Sequence, residues 1–378
     1  MKKLLFGITG LTLGGAERVL VDLTNKLCDK YDITILTIYA KGELEKQLNP
    51  KVNLKSLYDV RYDELSKKQK ILIPLKLYFN KNRVYKKKIK GDYDVEIAFL
   101  EGPITRLFSV KNKKTRKIAW IHNDISLVFG TGIKAKIKKE ADRKIYSKYD
   151  ELIFVSRDNM KKFREVYKDT VRNEYLEPVK KDVIYNYIES KNVIEKAEAK
   201  QDVTFDENKL NFVTVARLVP QKAIDRIIKV HNKLIENKLD HNFYVIGDGP
   251  EKEKLENMVK EYNVSNTFHL LGKKENPYPY IKNSDYFCLL SNFEGYGMVL
   301  EEAKILGKSI IITNTAAREA VEKYENSLII ENNEEKIYEE LKKIIENNNK
   351  NKENIRLQEN QKYDNSNIIN KIEKLIGE

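Results

Sequence analysis

The stretch that decides the fold is YFCLLSNFEGYGMVLEEAKILGKSIII, residues 286–312. The apolar run Tyr286–Leu290 predicts a buried strand, and a helical pattern begins at Met298. A second apolar run, Ser309–Ile312, predicts another strand. Two strands joined by one helix form a parallel βαβ unit, so this stretch predicts an α/β fold with a parallel sheet.

Strand and helix patterns alternate in the same way along both halves of the chain. The first half has strand-like runs at Leu4–Ile8, Ile33–Ile38, Val95–Leu100, Lys117–Ile121 and Leu152–Val155, and a helical pattern at Ala16–Leu27. The second half adds Asn211–Val215, Phe243–Ile246 and Phe268–Leu271, with helices expected from Lys222 and Glu251. We expect two doubly wound, Rossmann-like domains whose strand ends face a central cleft.

The length of 378 residues also favours two domains, because one hydrophobic core rarely supports so long a chain. Residues 190–209 are charged and poorly periodic, which is typical of a solvated connection. The expected domains are therefore 1–189 and 190–363, and an amphipathic helix within 364–378 is expected to pack back on the first.

Charge and cysteine content indicate the cellular compartment and the kind of surface that the protein meets. The net charge is +13, and residues 61–148 hold 24 Lys and Arg against 9 Asp and Glu. Two distant cysteines in apolar segments fit a reducing compartment, and no run reaches the roughly 20 apolar residues that span a bilayer. We expect a cytoplasmic protein whose basic first half meets an anionic surface. An ordinary lysine-rich solvated face explains the same charges.

A glycine-containing loop follows the first strand and opens the first helix. Gly14 and Gly15 lie where backbone N–H groups point out of the helix start, which suits a phosphate. The spacing does not match the dinucleotide fingerprint G-x-G-x-x-G, so a dehydrogenase is not favoured. A simple tight turn remains an alternative.

In the second half, Arg217 follows a strand and Lys222 lies where the next helix is expected. Two cations at a strand end can converge on a diphosphate and stabilise the charge of a departing group. A solvated pair is the alternative in so basic a chain.

Two carboxylates, Glu294 and Glu302, flank the glycine turn formed by Gly295 and Gly297. The turn lets the backbone approach a ligand closely, and both carboxylates can accept hydrogen bonds from hydroxyl groups. A glycosidase acid and base pair is the less favoured alternative, because nothing in the sequence keeps either group protonated.

His122 ends the strand Lys117–Ile121 and is a candidate contact for a ligand, although a structural histidine fits equally. The other histidines and the cysteines share no ligand spacing with it, so we expect no metal. Asp92-Tyr93-Asp94 resembles a D-x-D metal motif but precedes a strand, which a turn explains.

Taken together, these residues resemble the retaining nucleotide-sugar glycosyltransferases of the GT-B fold, of the group 1 or family 4 type. The most specific motif is Glu294 with Glu302 in FEGYGMVLEEAKILGKSIIIT. Supporting motifs are GGAERV at 14–19, VARLVPQK at 215–222 and VIGDGPEKEKLE at 245–256. The family usually has Gly where Ala216 and Ala223 stand, a departure expected to affect loop geometry.

The resemblance implies a role for each matching residue. Arg217 and Lys222 bind the donor diphosphate, Glu294 holds hydroxyls of the transferred sugar, and Glu302 holds the ribose. His122 contacts the sugar near the reacting carbon. The other expected donor contacts are Gly14, Gly15, Leu271, Gly272, Gly295, Tyr296, Gly297, Met298 and Val299. The first domain binds the acceptor and the second the nucleotide sugar.

The implied activity is retaining transfer of a hexose or N-acetylhexosamine, from a UDP-linked donor and without a metal, to a lipid-linked glycan in surface polysaccharide or capsule synthesis. The protein would then lie peripherally on the inner face of the membrane. A nucleotide-sugar epimerase of similar shape is one alternative. A nucleic-acid-binding protein is another, although no binding motif accompanies the basic half and no nucleic-acid partner is expected.

Overall fold

A computed structural model describes residues 1–125, 133–168, 179–348 and 363–377. The chain divides into two compact units, Met1–Ile188 with Asn365–Glu378 and Glu189–Asp364. The boundary expected from the sequence falls between 189 and 190. Residues 347–361, a tail rich in Asn and Lys, lie almost entirely outside the described residues.

The first unit is built on a parallel sheet of seven strands in the order β3-β2-β1-β4-β5-β6-β7. The chain order reverses between β1 and β4, which makes that position the switch point of a doubly wound sheet. Its strands are β1 Lys3–Ile8, β2 Asp32–Tyr39, β3 Asn53–Tyr58, β4 Val95–Ala98, β5 Arg116–Ile121, β6 Glu151–Phe154 and β7 Lys180–Val183.

The second unit has a parallel sheet of six strands in the order β10-β9-β8-β11-β12-β13. Its switch point lies between β8 and β11. Its strands are β8 Leu210–Val215, β9 His241–Ile246, β10 Phe268–Leu270, β11 Tyr286–Leu289, β12 Ser309–Thr313 and β13 Ser327–Ile330.

Helices cover the two sheets because each carries an apolar stripe that the sheet buries. Those of the first unit are α1 Gly15–Leu27, α2 Lys67–Phe79, α3 Lys81–Lys88, α4 Pro103–Phe108, α5 Ile133–Tyr146, α6 Arg157–Tyr167 and α14 Ser366–Gly377. Those of the second are α7 Ser190–Ala197, α8 Ile224–Glu236, α9 Lys252–Glu261, α10 Tyr278–Asn283, α11 Met298–Ile305, α12 Arg318–Val321 and α13 Glu334–Asn348.

The structure corrects the sequence prediction in three places. Strands β3, β7 and β13 were not predicted, because they carry short or weak apolar patterns. The helix expected from Lys222 begins at Ile224 instead, since Pro220–Lys222 form a single 3₁₀ turn. Residues 190–209 are not merely a solvated connection: they contain α7, which buries Val193 and Ala197.

The closing helix α14 lies on the first unit. Its apolar face buries Ile372, Leu375 and Ile376. Two cations hold its last turn, since Lys2 Nζ donates to Ile376 O at 2.8 Å and an Arg116 Nη donates to Leu375 O at 2.6 Å. Cations at this end oppose the negative end of the helix dipole.

A chain of neutral hydrogen bonds crosses the interior of the second unit. His241 Nδ1 bonds to the carbonyl oxygen of Leu239 at 2.8 Å, and its Nε2 lies 2.9 Å from His231 Nδ1. His231 Nε2 lies 2.9 Å from the Thr267 hydroxyl. Burial lowers the pKa of His231 to about 2 and that of His241 to about 4. Both rings are therefore neutral near pH 7.

The second unit also contains a close backbone contact that shapes the loop after β8. A Cβ on Gly247, whose φ is +153°, would lie 1.8 Å from the carbonyl oxygen of Ala216. The peptide of Ala216 donates to Ile246 O at 2.9 Å, and that of Leu218 donates to Asp248 O at 3.0 Å. The glycine is required because any side chain would push this loop away.

Acid should destabilise the second unit through its two buried histidines. Their folded pKa values lie below the ordinary value of 6.5, so the unfolded state binds protons first as the pH falls. The contribution of the neutral histidines to the free energy of unfolding is fully present above pH 6.5. Below that pH the free energy of unfolding falls, by up to about 1.4 kcal/mol per pH unit for each histidine. Hydrogen exchange of the β9 amides measures this change, and protection that stays constant on acidification would contradict it.

Gly247→Ala should cost about 3 kcal/mol or more of unfolding free energy, because it combines a backbone clash with strain. Gly272→Ala is the matched control: its φ is +70°, but its Cβ would meet nothing within 4 Å. Strain alone should cost about 1 kcal/mol there. Urea unfolding of both variants measures the two losses of unfolding free energy. Equal losses would exclude the clash with Ala216.

Candidate functional site

The site of the second unit lies where the loops after β8 and β11 leave the two strands on either side of the switch point. Several bonds join these loops: the peptide N–H of Asn292 donates to Gln221 O at 2.9 Å, and the Gln221 amide donates to Phe293 O at 3.0 Å. The Asn292 amide donates to Pro220 O at 3.1 Å. The two loops therefore form one structural element.

An ion pair closes this element. Lys222 Nζ donates to Glu294 Oε1, which also accepts a hydrogen bond from the Ser291 hydroxyl at 2.7 Å. The Glu294 side chain is only 6% exposed and that of Lys222 is 19% exposed. The structure thus brings together two residues that the sequence assigns to donor binding.

An open cavity of about 590 Å³ lies beside this pair. Arg217, Lys222, Asn292 and Phe293 are among the residues that line it. Arg217 is exposed at this cavity. Phe293 is 51% exposed and offers an apolar surface at the rim.

The first turn of α11 follows directly. Gly297 caps the helix with φ +74°, a conformation that favours glycine, and the Met298 and Val299 amides begin the helix. First-turn N–H groups point out of a helix and carry partial positive charge. Gly295 precedes them and is exposed, with nothing within 4 Å of a Cβ placed there.

The carboxylates around α11 have different surroundings. Glu302 is half-buried and accepts a hydrogen bond from the Tyr278 hydroxyl at 3.0 Å. Its neighbour Glu301 is 2% exposed and accepts from the Tyr296 hydroxyl at 2.7 Å and from Lys304. Glu301 is therefore a structural residue, and Glu302 remains the more accessible of the two.

Leu271 and Gly272 follow β10 at the same edge of the sheet. The peptide N–H of Leu271 donates to Val245 O, and the carbonyl of Gly272 accepts from the Gly247 N–H, both at 2.9 Å. Both residues are half-buried. Their position beside the Gly247 loop fits a surface that flanks a ligand.

In the first unit, the glycine loop leads into α1 as predicted. Gly14 caps the helix, and Gly15 is exposed. The carboxyl group of Glu17 lies against Gly14, where a Cβ would be 2.1 Å from Glu17 Oε2. Burial raises the pKa of Glu17. A phosphate at this helix start would therefore meet the Glu17 carboxyl group.

His122 follows β5 in the first unit and is uncharged near pH 7. Burial lowers its pKa to about 3, and the Phe99 ring lies 4.7 Å from its own. Its Nε2 atom is buried and has no hydrogen-bond partner among the described residues. A neutral imidazole with an unpaired nitrogen can bond to a sugar hydroxyl, but it supplies no positive charge.

The structure reveals a support for His122 that the sequence analysis missed. Glu101 follows β4 and accepts from the Asn123 peptide N–H at 2.7 Å and from the Asn123 amide at 2.8 Å. Asn159 fixes the same loop through the Asn123 carbonyl at 2.7 Å. Burial raises the pKa of Glu101. The position of Glu101 at a strand end is the only signal of this role in the sequence.

A second cavity, of about 320 Å³, lies beside the glycine loop and was not predicted. Glu17, Tyr39, Arg61 and Tyr62 are among its lining residues. The two tyrosine rings meet edge to face at 5.3 Å. An aromatic wall with charged groups nearby suits a sugar ring.

Within the described ranges, no three His, Cys, Asp or Glu side chains gather as metal ligands would. Asp94 Oδ2 accepts from the Lys3 peptide N–H at 2.7 Å, so this aspartate joins β1 to the turn before β4. Asp92 is exposed. None of the helices in these ranges is long and apolar enough to cross a bilayer.

Known proteins resemble this chain in sequence and in fold. Residues 195–362 match the family model described as Glycosyl transferases group 1. A Campylobacter jejuni protein, N-acetylgalactosamine-N,N'-diacetylbacillosaminyl-diphospho-undecaprenol 4-alpha-N-acetylgalactosaminyltransferase, is 28% identical over 92% of this chain and 91% of its own. A second C. jejuni alpha-1,4-N-acetyl-D-galactosaminyltransferase is 28% identical over 80% of this chain and 77% of its own.

Solved structures agree over the whole length. HepE of Anabaena, crystallised with UDP, has a TM-score of 0.71 at 17% identity and full coverage of both chains. TarM of S. aureus, also crystallised with UDP, has a TM-score of 0.68 at 15% identity, again with full coverage of both chains. The two parallel sheets and these solved structures show the GT-B fold, and the family model over residues 195–362 together with the curated relatives supports a group 1 glycosyltransferase.

Proposed function

We propose that the enzyme is a retaining hexosyltransferase that moves a hexose or N-acetylhexosamine from a nucleotide sugar, with UDP as the expected nucleotide, to a lipid-linked glycan. The product would enter cell-surface polysaccharide, such as a capsule. The main support for the proposed donor site is the Lys222–Glu294 ion pair at the switch point of the second sheet. Ligands of doubly wound sheets bind at that position.

Each residue has a proposed task in donor binding. Arg217 and Lys222 hold the diphosphate, together with the first-turn amides of α11. Glu294 accepts hydrogen bonds from the transferred sugar, and Glu302 accepts them from the ribose. A bound donor would then replace part of the Lys222–Glu294 pair, since the cation and the carboxylate each gain a partner of their own.

The proposed reaction needs no carboxylate base. The bond between the anomeric carbon and the diphosphate breaks while the acceptor oxygen forms its bond on the same face. The proton of the acceptor hydroxyl passes to an oxygen of the leaving diphosphate. Arg217, Lys222 and the helix start stabilise the charge that develops there, and the neutral His122 positions the sugar.

The acceptor and the location are inferred from the relatives and from the first unit. The names of the C. jejuni relatives specify alpha-linking transferases and undecaprenol-linked diphosphate acceptors, which supports retention and a lipid-linked acceptor here. The cavity beside Tyr39 and Tyr62 would take the acceptor sugar. We place the enzyme on the inner face of the membrane, held peripherally through its basic first unit.

Incubating the enzyme with a panel of nucleotide sugars and a membrane lipid extract, in excess EDTA, tests the whole proposal. Release of nucleoside diphosphate that depends on the extract is the expected result. Donor conversion without any acceptor would instead support an epimerase. Loss of activity in EDTA with rescue by Mn²⁺ or Mg²⁺ would contradict metal independence and return Asp92 and Asp94 to consideration.

Arg217→Ala and Lys222→Ala should each lower kcat by about 100-fold or more, as the loss of one preorganised donor to a developing anion does. Lys254→Ala is the matched control, because Lys254 also pairs with carboxylates of the second unit, Asp225 at 3.2 Å and Glu251 at 2.9 Å. It should keep wild-type turnover.

The two site variants separate chemistry from folding. Lys222→Ala leaves the buried Glu294 without its cation and can lower stability, whereas Arg217 is exposed. Thermal unfolding of each variant is therefore measured beside its turnover. Wild-type kcat in both variants would remove these cations from the mechanism.

A further inference from the structure

The first unit contains a basic groove of about 1070 Å³ that no step of the proposed reaction uses. Helices α2 to α6 surround it. Two carboxylates, Glu140 and Glu165, line it against six cations: Lys81, Arg106, Lys136, Lys139, Lys144 and Lys148. The groove therefore has a surplus of positive charge in a concave, partly enclosed space.

Three of these cations converge at one point of the groove. Lys81 Nζ donates to the Ser109 hydroxyl at 2.7 Å, and Lys148 and Arg106 lie close enough to repel it. Burial and these like charges lower the pKa of Lys81 to about 8. An anion between the three cations would relieve the repulsion.

Arg106 adds a second indication of an absent anion. One Nη atom donates to Asp142 Oδ1 at 3.1 Å, but the buried Nε atom has no hydrogen-bond partner among the described residues. Buried donors are rarely left unpaired, and arginine donors match phosphate oxygens well. A phosphate group meets both requirements.

The groove continues into an exposed apolar surface. Ile137, on its rim, is 65% exposed, and Tyr78 contacts Arg106 through its ring at 5.1 Å. We call the outer face of α2 the apolar ridge; its members are Ile71 at 62%, Leu72 at 50%, Leu75 at 44% and Phe79 at 74% exposure. The opposite face of α2 buries Ile73 and Leu77. A helix apolar on both faces needs an apolar environment outside the protein as well.

We infer that the basic groove binds the phosphate headgroup of an anionic membrane phospholipid while the apolar ridge enters the bilayer. Charge complementarity selects a phosphate, and the adjacent apolar ridge selects one that is attached to a lipid. This site is separate from the donor site, and the inference depends on the proposed function only for the membrane setting of the acceptor.

Vesicle sedimentation at low salt tests the site, with phosphatidylcholine vesicles that contain or lack phosphatidylglycerol. The wild type should bind only those that contain it. Lys81→Gln with Lys148→Gln should weaken binding by about tenfold or more, because each nearby cation contributes on the order of 1 kcal/mol, a factor of about five. A second pair, Lys136→Gln with Lys139→Gln, should act in the same direction if the first pair impairs folding; Lys136 is exposed and Lys139 is half-buried.

Two further variants complete the test. Lys111→Gln with Lys113→Gln removes the same charge from exposed positions of the first unit outside the groove, and should weaken binding by less than about threefold. Ile71→Ser with Leu72→Ser and Phe79→Ser should leave salt-sensitive attraction but abolish binding at physiological salt.

Three outcomes would overturn the inference. They are equal losses in the groove and control pairs, equal binding to vesicles without phosphatidylglycerol, and no binding at low salt. If the groove instead binds an acidic protein, the enzyme does not bind the vesicles at low salt. Release of nucleoside diphosphate with a short-chain, water-soluble acceptor should be unchanged in the groove variants, so this inference and the proposed function can fail separately.

Discussion

The constraint on which the rest of the structure depends is that every paired strand in both sheets runs parallel. Parallel strands end at the same edge of a sheet, so residues far apart in the chain must meet there. Lys222 and Glu294 are 72 positions apart, yet they form an ion pair because β8 and β11 are neighbours. The same rule in the first sheet places Glu101, after β4, beside Asn123, after β5.

The ion pair has consequences beyond joining two loops. A buried carboxylate is stable only when it is paired, and Lys222 and Ser291 both donate to Oε1 of Glu294. The pair keeps both charged groups at the edge of an open cavity in the absence of a ligand. In the proposed reaction, the donor would offer its diphosphate to Lys222 and its sugar to Glu294, so that binding would exchange partners without exposing a bare charge.

The sequence predicts well what depends on local pattern and poorly what depends on strand neighbours. Strand β1 is predicted because all of Leu4–Ile8 is apolar or small, as a strand buried on both faces requires. Strand β7, Lys180–Val183, has the sequence KKDV and is held at the sheet edge by its bonds to β6, which no local pattern reveals. The hydrogen bonds between Glu101 and Asn123 are not predicted for a related reason. The two residues follow different strands, and only the strand order shows that those strands are neighbours. The pairing of Lys222 with Glu294, as distinct from their presence at strand ends, needs the same information.

The departure of Ala223 from the glycine usual in the family shows how local strain is tolerated at such a site. Ala223 has φ +51°, the left-handed conformation that costs a non-glycine residue roughly 1–2 kcal/mol. Its methyl group is only 1% exposed, and burial of one such group returns about 0.8 kcal/mol. Burial therefore offsets part of the strain, and the alanine at the end of the 3₁₀ turn Pro220–Lys222 has a net cost of about 1 kcal/mol or less. Beside Ala216 the close contact is between backbones: a Cβ on Gly247 would lie 1.8 Å from the Ala216 carbonyl oxygen, so position 247 requires glycine. The loop that carries Arg217 and Lys222 thus has an alanine at each end, and backbone hydrogen bonds to the loop after β9 hold its conformation.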